Sequence, residues 1–207
     1  SQYTLSLHDA LPICYECDVA FMGGCYSCFP DSGLREELIR IASSSFRTNV
    51  YGTGWPTADN PKPKVYGEDF ARAVAGAKVV LGINAYNDVY QYTSNRTWNC
   101  LSCGSAVFMS YYFAGMGDLF VDGTHLIVFH SVDEAIQKIR SIIADRRTPV
   151  RQQIAEAGRQ LILDKHSYRA RAEELLERWR TWDAANEKRL RKGIRPYEDK
   201  EGSKNIV

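Results

Sequence analysis

The sequence lacks several features that mark whole classes of protein. No apolar run approaches the roughly 20 residues that span a bilayer, so no membrane span is predicted. Neither a G-x-G-x-x-G fingerprint nor a P-loop follows the first apolar segment. The net charge of +1 gives no electrostatic reason to expect nucleic acid or an anionic membrane as partner. These absences argue against a membrane protein, a nucleic-acid-binding protein and a dinucleotide-dependent enzyme.

Histidine is also scarce, and no Ser, His and Asp set with recognisable local spacing occurs. His125 and His130 flank an apolar segment, and His166 lies in the polar stretch DKHSYRAR. The pattern favours ordinary core, surface or helix-connecting roles for them. A hydrolase of the triad type therefore has little support.

The apolar pattern predicts an α/β domain. The chain has 207 residues, 44% of them hydrophobic, which is enough to bury a full core. Apolar strands at about 18–23, 49–51, 78–83, 106–109 and 126–129 alternate with helices at about 33–43, 68–75, 94–103 and 132–144. Because the strands are continuously apolar, they predict a Rossmann-like parallel sheet with helices on both faces, followed by two C-terminal helices.

The segment SNRTWNCLSCGSAVFM, residues 94–109, carries the strongest site signal. Ser94 suits a helix N-cap, Arg96 and Asn99 lie three apart on one helical face, and Gly104 suits the left-handed residue that ends a helix. Because ligands of open α/β sheets lie at strand carboxyl ends and helix N-termini, a phosphate-bearing ligand is expected here. The alternative is an ordinary crossover helix with a solvated Arg96.

Landmarks in the same order and spacing run from Cys17 to about Trp179. They are CDVAFMGG, SGLREELIRI, VYGTGW, AKVVLGIN, RTWNCLSCG, LIVFHSVDEAIQKI and IAEAGRQLILDKHSYRARAEELL. In this pattern the chain resembles the CgeB-like glycosyltransferase family, the spore maturation protein CgeB group. The resemblance implies the nucleotide-sugar-binding half of a GT-B enzyme.

The resemblance also implies roles for particular residues. Donor binding is expected from Gly23, Gly24, Arg35, Trp55, Arg96, Asn99 and Gly104. Arg96 is the first choice for the cation on the diphosphate and Arg35 the second, unless Arg35 forms a surface ion pair. Trp55 either flanks the base or packs. The family usually has Glu where this chain has Asn99, so the charge-assisted contact to the ribose is missing and donor affinity and activity are open.

The resemblance places an acceptor-binding domain before this one. Residues 14–186 are expected to form the donor domain and residues 187–207 a charged flexible tail. Residues 1–13 include YTLSLHDALPI, which back-translates to a sequence resembling a sequencing-library adapter, so they are expected to contribute nothing to the fold.

The aromatic end of the last helix, at Trp179 and Trp182, either packs on the missing domain or joins the core. The catalytic residues are unknown, any base is expected from the missing domain, and the fragment alone is expected to be inactive.

The six cysteines fall in three pairs, each separated by two residues. The pairs are Cys14 with Cys17, Cys25 with Cys28, and Cys100 with Cys103. Such spacing suits zinc or a redox pair, but a packing role is favoured, and no metal or cofactor is expected. Without a secretion signal, reduced thiols and a cytoplasmic location are the default.

Two further functions stay open. One is a non-catalytic binding or assembly module that kept the fold without the ribose carboxylate. The other is a different nucleotide-dependent α/β enzyme, such as an epimerase, against which the missing glycine fingerprint counts.

Overall fold

The computed structural model describes residues 15–56, 61–144 and 148–191. Residues 1–13, expected to lie outside the fold, are outside the described residues together with Cys14, so that expectation stays a prediction. Two compact units make up the chain, residues 1–162 and residues 163–207.

A five-stranded parallel sheet forms the centre of the first unit. The strand order is β2-β1-β3-β4-β5, with every neighbouring pair parallel. The strands are β1 (Cys17–Met22), β2 (Thr48–Tyr51), β3 (Ala77–Gly82), β4 (Val107–Tyr111) and β5 (Ile127–Phe129). The predicted fold class is therefore confirmed, and each predicted strand exists within one or two residues of its expected bounds.

Helices cover both faces of this sheet. They are α1 (Ser32–Ser45), α2 (Gly67–Ala75), α3 (Asn95–Cys103), α4 (Val132–Ala144) and α5 (Thr148–Leu161). Helices α1 and α4 pack on one face, where Leu38 and Ile139 are fully buried. Helices α2, α3 and α5 pack on the other face, around Phe108 and Leu101. Burial on both faces explains why the strands are continuously apolar.

The ends of α3 follow the sequence signals with one difference. Gly104 adopts the left-handed conformation, with φ of 63°, and ends the helix as predicted. Ser94 is the N-cap residue, but its hydroxyl makes no capping hydrogen bond. Instead the Ser94 backbone N–H donates to Asn84 Oδ1 at 3.1 Å. A side chain from the preceding loop therefore ties down the start of α3.

The second unit contains the long helix α6 (Tyr168–Arg191), which follows a π-helical turn over Ile162–His166. The aromatic end of this helix is exposed, with Trp179 at 60% and Trp182 at 51%, and the centres of the two rings lie 5.5 Å apart. These rings therefore do not belong to a core within the described residues.

The expected flexible tail at 187–207 is corrected at its start. Residues 187–191 continue α6, because Glu, Lys, Arg and Leu favour helix and the breakers Gly193 and Pro196 come later. The rest of the predicted tail lies outside the described residues.

Candidate functional site

The site lies at the switch point of the sheet, where the strand order reverses. From β1 the chain runs to β2 on one side, and β3 then pairs with β1 on the other side. The carboxyl ends of β1 and β3 thus diverge into two different loops and leave a crevice between them. Gly23 and Gly24 follow β1, and Ile83 and Asn84 follow β3.

Arg96, on the first turn of α3, bridges these two loops. Its Nη1 donates to the Met22 carbonyl at 2.8 Å, and its Nη2 donates to the Ile83 carbonyl. The guanidinium carbon lies 4.7 Å from the centre of the Phe21 ring. The side chain is therefore held at the crevice by both strands rather than solvated, which answers the alternative left open for Arg96.

Arg35, on the first turn of α1, reaches the same place from the other face. Its Nη1 donates to the Gly24 carbonyl at 2.7 Å, and its Nη2 donates to the carbonyls of Ile83 at 3.0 Å and Asn84 at 3.2 Å. Only 5% of the residue is exposed. The alternative of a surface ion pair is therefore wrong for Arg35, because its partners are buried backbone carbonyls.

The two guanidinium groups make a positively charged pair inside the protein. Burial and the charge of Arg35 lower the pKa of Arg96 to about 10, and burial lowers the pKa of Arg35. A pKa of about 10 still leaves Arg96 charged near neutral pH. Among the described residues, no carboxylate lies within ion-pairing distance of either guanidinium, and the Asp31 carboxylate acts on Arg35 only at longer range. Because one more distant carboxylate does not neutralise two buried cations, this pair is suited to an anionic ligand.

Unpaired polar atoms gather at the same crevice. The Nε atoms of Arg35 and Arg96 are both buried without a hydrogen-bond partner, as are polar atoms of Asn84, Asn87 and Ser94. A buried polar atom without a partner costs about 1 to 3 kcal/mol. Their concentration at one place indicates a ligand-binding region.

A cavity of about 1010 Å³ opens beside the crevice, toward β2. Its walls come from the loop after β1, the start of α1, the loop after β2 and the segment around Lys62. The lining includes Tyr26, Cys28, Gly33, Thr53, Trp55 and Lys62. Its size lies at the upper end of the range for small-molecule sites.

Trp55 and the neighbouring glycines shape the wall of this cavity. The Trp55 indole Nε1 donates to the Gly23 carbonyl at 3.0 Å, and its ring packs edge-on against Phe21 at 5.2 Å. Only 8% of Trp55 is exposed. Gly52 and Gly54 have φ of 152° and 79°, and a β-carbon at either position would overlap the backbone of Gly23 or Cys25. The loop after β2 is therefore pressed against the loop after β1.

The structure brings most of the predicted site residues together, but not all. Gly23, Gly24, Arg35, Trp55 and Arg96 meet at the crevice. Asn99 is exposed on α3, one turn beyond Arg96, and its role toward a ribose stays a prediction.

Gly104 lies elsewhere. It stands before the start of β4, at the opposite edge of the sheet from the crevice, and packs against Arg159 of α5. Its glycine signal was correctly interpreted as a helix end, but the structure does not bring it to the crevice.

Asn84, Asn87 and Asp31 are functional candidates that the sequence interpretation missed. Asn87 Nδ2 donates to Asp31 Oδ2 at 2.7 Å, and Asn84 is 2% exposed. The signal available in the sequence is a pair of asparagines directly after the strand AKVVLG. Polar residues at that place are typical of site loops, but the sequence alone does not say which become buried.

The cysteines are divided by burial. Burial raises the pKa of the Cys17 and Cys103 thiols to about 11, and it raises that of Cys100 and Cys25 as well. Cys28 is exposed in the cavity wall. In the described parts of the chain, no group of three or more His, Cys, Asp or Glu side chains is placed to hold a metal ion.

We expect Cys28 to be the fastest of the described thiols to react with iodoacetamide. A thiol with a pKa of about 11, such as Cys17 or Cys103, has roughly a hundredfold less reactive thiolate at pH 8 than an ordinary thiol, and burial blocks the reagent further. In a Cys14→Ser variant at pH 8, mass spectrometry should find one rapid modification, at Cys28, and the others only after unfolding in urea. Rapid labelling of Cys100 in the folded protein would contradict the packing of α3.

None of the described helices is long and apolar enough to cross a membrane.

A family model described as glycosyl transferase-like matches residues 35–177. That range includes both arginines and the loops after β2 and β3. None of the curated protein sequences matches this chain.

Solved structures share the fold. Sucrose-phosphate synthase from Thermosynechococcus elongatus superposes with a TM-score of 0.61 at 13% identity, over 82% of this chain and 46% of that one. HepE from Anabaena, solved in complex with UDP-glucose, superposes with a TM-score of 0.61 at 12% identity, over 80% of this chain and 49% of that one. At such identities the likeness concerns the fold alone.

The lengths of the matched proteins show how much of each one this chain covers. This chain spans about half the length of those two glycosyltransferase structures. The C-terminal domain of a glycosyl transferase group 1 family protein, LpcC from Francisella tularensis, superposes with a TM-score of 0.52 at 9% identity, over 73% of this chain and 86% of that domain. The described fold therefore corresponds in size to one such domain.

Proposed function

Because the chain belongs to the glycosyl transferase-like family, we propose that it is the donor-binding domain of a GT-B glycosyltransferase and binds a nucleotide diphosphate-sugar. The observation that carries this proposal is the pair of buried guanidinium groups of Arg35 and Arg96. They lie at the crevice between β1 and β3 without a carboxylate partner among the described residues.

The arrangement around the arginines supports a nucleotide diphosphate in particular. The diphosphate would lie against the arginine pair and the glycine turn at Gly23 and Gly24, next to the start of α3, whose helix dipole adds positive potential. The base would enter the cavity lined by Thr53 and Trp55. HepE, which shares the fold, is solved with UDP-glucose, and this favours UDP as the first nucleotide to test.

The same groups suit the chemistry of glycosyl transfer. Breaking the bond between the sugar and the diphosphate leaves negative charge on the departing phosphate oxygen. Positive groups fixed in advance at that position stabilise the transition state more than the bound donor. Arg35 and Arg96 are held by backbone carbonyls before any ligand arrives, so they need little reorganisation.

The rest of the proposal concerns the whole protein. We propose that an acceptor-binding domain accompanies this one, that the exposed Trp179 and Trp182 pack against it, and that this domain alone is inactive. Membership of the CgeB-like group and a cytoplasmic location belong to the same proposal.

Calorimetric titration of the chain with UDP, GDP and ADP tests the proposal. We expect one nucleotide per chain for at least one of them, in competition with inorganic diphosphate, because the diphosphate supplies the charge that the arginine pair lacks. If none of the three binds, the donor-binding function is contradicted and the alternative of a non-catalytic module is favoured.

A further inference from the structure

Three polar side chains next to the arginine pair have hydrogen-bonding groups that the protein does not use. They are the amides of Asn84 and Asn87 and the hydroxyl of Ser94. Asn84 Nδ2, Asn87 Oδ1 and Ser94 Oγ are buried without a partner. Together with the two arginine Nε atoms, they are all the buried unpaired side-chain polar atoms in the described part of the chain. Since folded proteins pair nearly all such atoms, their gathering here needs an explanation.

In each of the two amides, the atom that forms a hydrogen bond within the protein determines which atom stays without a partner. Asn84 Oδ1 accepts the Ser94 backbone N–H at 3.1 Å, so the free atom of Asn84 is the amide nitrogen, a donor. Asn87 Nδ2 donates to Asp31 Oδ2 at 2.7 Å, so the free atom of Asn87 is the carbonyl oxygen, an acceptor. The Ser94 hydroxyl can both donate and accept.

A donor, an acceptor and a hydroxyl are complementary to sugar hydroxyl groups, each of which also donates and accepts. A phosphate at neutral pH donates little, so it does not satisfy Asn87 Oδ1. A carboxylate has no hydrogen atom to donate at neutral pH, so it does not satisfy Asn87 Oδ1 either.

The positions of the groups follow the order of parts in a nucleotide diphosphate-sugar. The cavity lies at the ends of β2 and β1, the arginine pair at β1 and β3, and the three polar side chains in the loop after β3 and at the start of α3. A base in the cavity and a diphosphate on the arginines would direct the sugar toward Asn84, Asn87 and Ser94. We infer that these three residues recognise the hydroxyl groups of the transferred sugar, and that this sugar is neutral. The inference rests on the proposed function.

The free atoms are closed off from solvent, so the sugar reaches them only when the loop that carries Asn84 and Asn87 moves. Tyr86, Val89 and Tyr90 of the same loop are exposed. Gln91 has φ of 54°, the positive value found at only one non-glycine residue among those described. Local movement of a loop on donor binding is common in enzymes of this kind of chemistry.

The Ser94→Ala variant tests the inference, because it removes a hydroxyl that has no partner in the free protein. The Ser94 backbone N–H still reaches Asn84 Oδ1, so the fold and its urea unfolding should be unchanged. Ser102→Ala, at the far end of α3, is the matched control, since its hydroxyl bonds only the Asn99 carbonyl. Each protein is titrated with UDP and UDP-glucose, and with GDP and GDP-mannose.

We expect Ser94→Ala to weaken binding of the sugar nucleotide about three- to tenfold, the range for one neutral hydrogen bond. Its affinity for UDP or GDP without the sugar should stay within about twofold of the wild-type value. Unchanged binding of both ligands would overturn the inference, and equal weakening of both would place Ser94 at the nucleotide instead. The wild type is also titrated with UDP-glucuronic acid, and equal affinity for it and for UDP-glucose would overturn the inference that the sugar is neutral. If the wild type binds none of UDP, GDP and ADP, the proposed function fails and this inference fails with it. If only ADP binds, the same comparison is made with ADP and ADP-glucose.

Discussion

Replacing Gly52 with Ala is expected to destabilise the protein by at least about 3 kcal/mol. Gly52 has φ of 152°, a conformation in which a side chain is strained. Its new methyl group would also overlap the carbonyl group of Gly23, which is backbone and has no rotamer to change. The loops after β1 and β2 would have to separate, and the Trp55 bond to the Gly23 carbonyl would be lost with them.

Urea unfolding of Gly52→Ala beside Gly33→Ala measures this effect. Gly33 lies in the first turn of α1, and a methyl group there meets nothing within 4 Å. The Gly33→Ala variant should gain about 0.5 to 1 kcal/mol, because alanine has less freedom to lose in a helix. Equal stability of the two variants would show that the two loops do not touch as described.

Replacing Arg96 with Ala is expected to weaken binding of the nucleotide diphosphate by about 1.5 to 3 kcal/mol, which is roughly ten- to 150-fold in affinity. The variant loses a charge-assisted donor at the diphosphate and the link between the Met22 and Ile83 carbonyls. The affinity of Arg96→Lys for the nucleotide should lie between those of the wild type and Arg96→Ala, because a lysine keeps the charge without the planar fork that reaches two carbonyls.

Calorimetry with UDP, or with the nucleotide that binds, gives the measurement. Arg72→Ala is the matched control, since Arg72 is a half-buried surface arginine that pairs with Glu68 and Asp69 on α2, away from the crevice. Its affinity for the nucleotide should equal that of the wild type. An Arg96→Ala variant that is folded by circular dichroism and binds with unchanged affinity would remove Arg96 from the diphosphate site.

The order of elements could be predicted from the sequence because its signals are local. Continuous apolar strands such as AKVVLG, the glycine at Gly104 and the spacing of Ile136 and Ile139 depend on a few neighbouring residues. The helix that continues through 187–191 escaped this reasoning, because charged residues suit both a helix and a solvated tail.

The site was predicted less completely, because burial depends on distant parts of the chain. Arg35 is a surface residue by its local sequence, and only the packing of α1 on the sheet places it on the Ile83 carbonyl. For the same reason the sequence could not separate Trp55 in the wall of the cavity from Trp55 as a stacking platform. In the sequence, Asn84 and Asn87 are two ordinary polar loop residues. Only the fold pairs Asn84 with the start of α3 and Asn87 with Asp31.

The carbonyl of Ile83 accepts hydrogen bonds from both Arg35 and Arg96. If one arginine is lost, the other still occupies that oxygen, and it is also relieved of a neighbouring positive charge. Loss of both leaves the oxygen unpaired, so the combined loss of folding stability exceeds the sum of the two single losses. For folding stability, evolution at these two positions is therefore epistatic: the cost of changing one arginine depends on whether the other is still present.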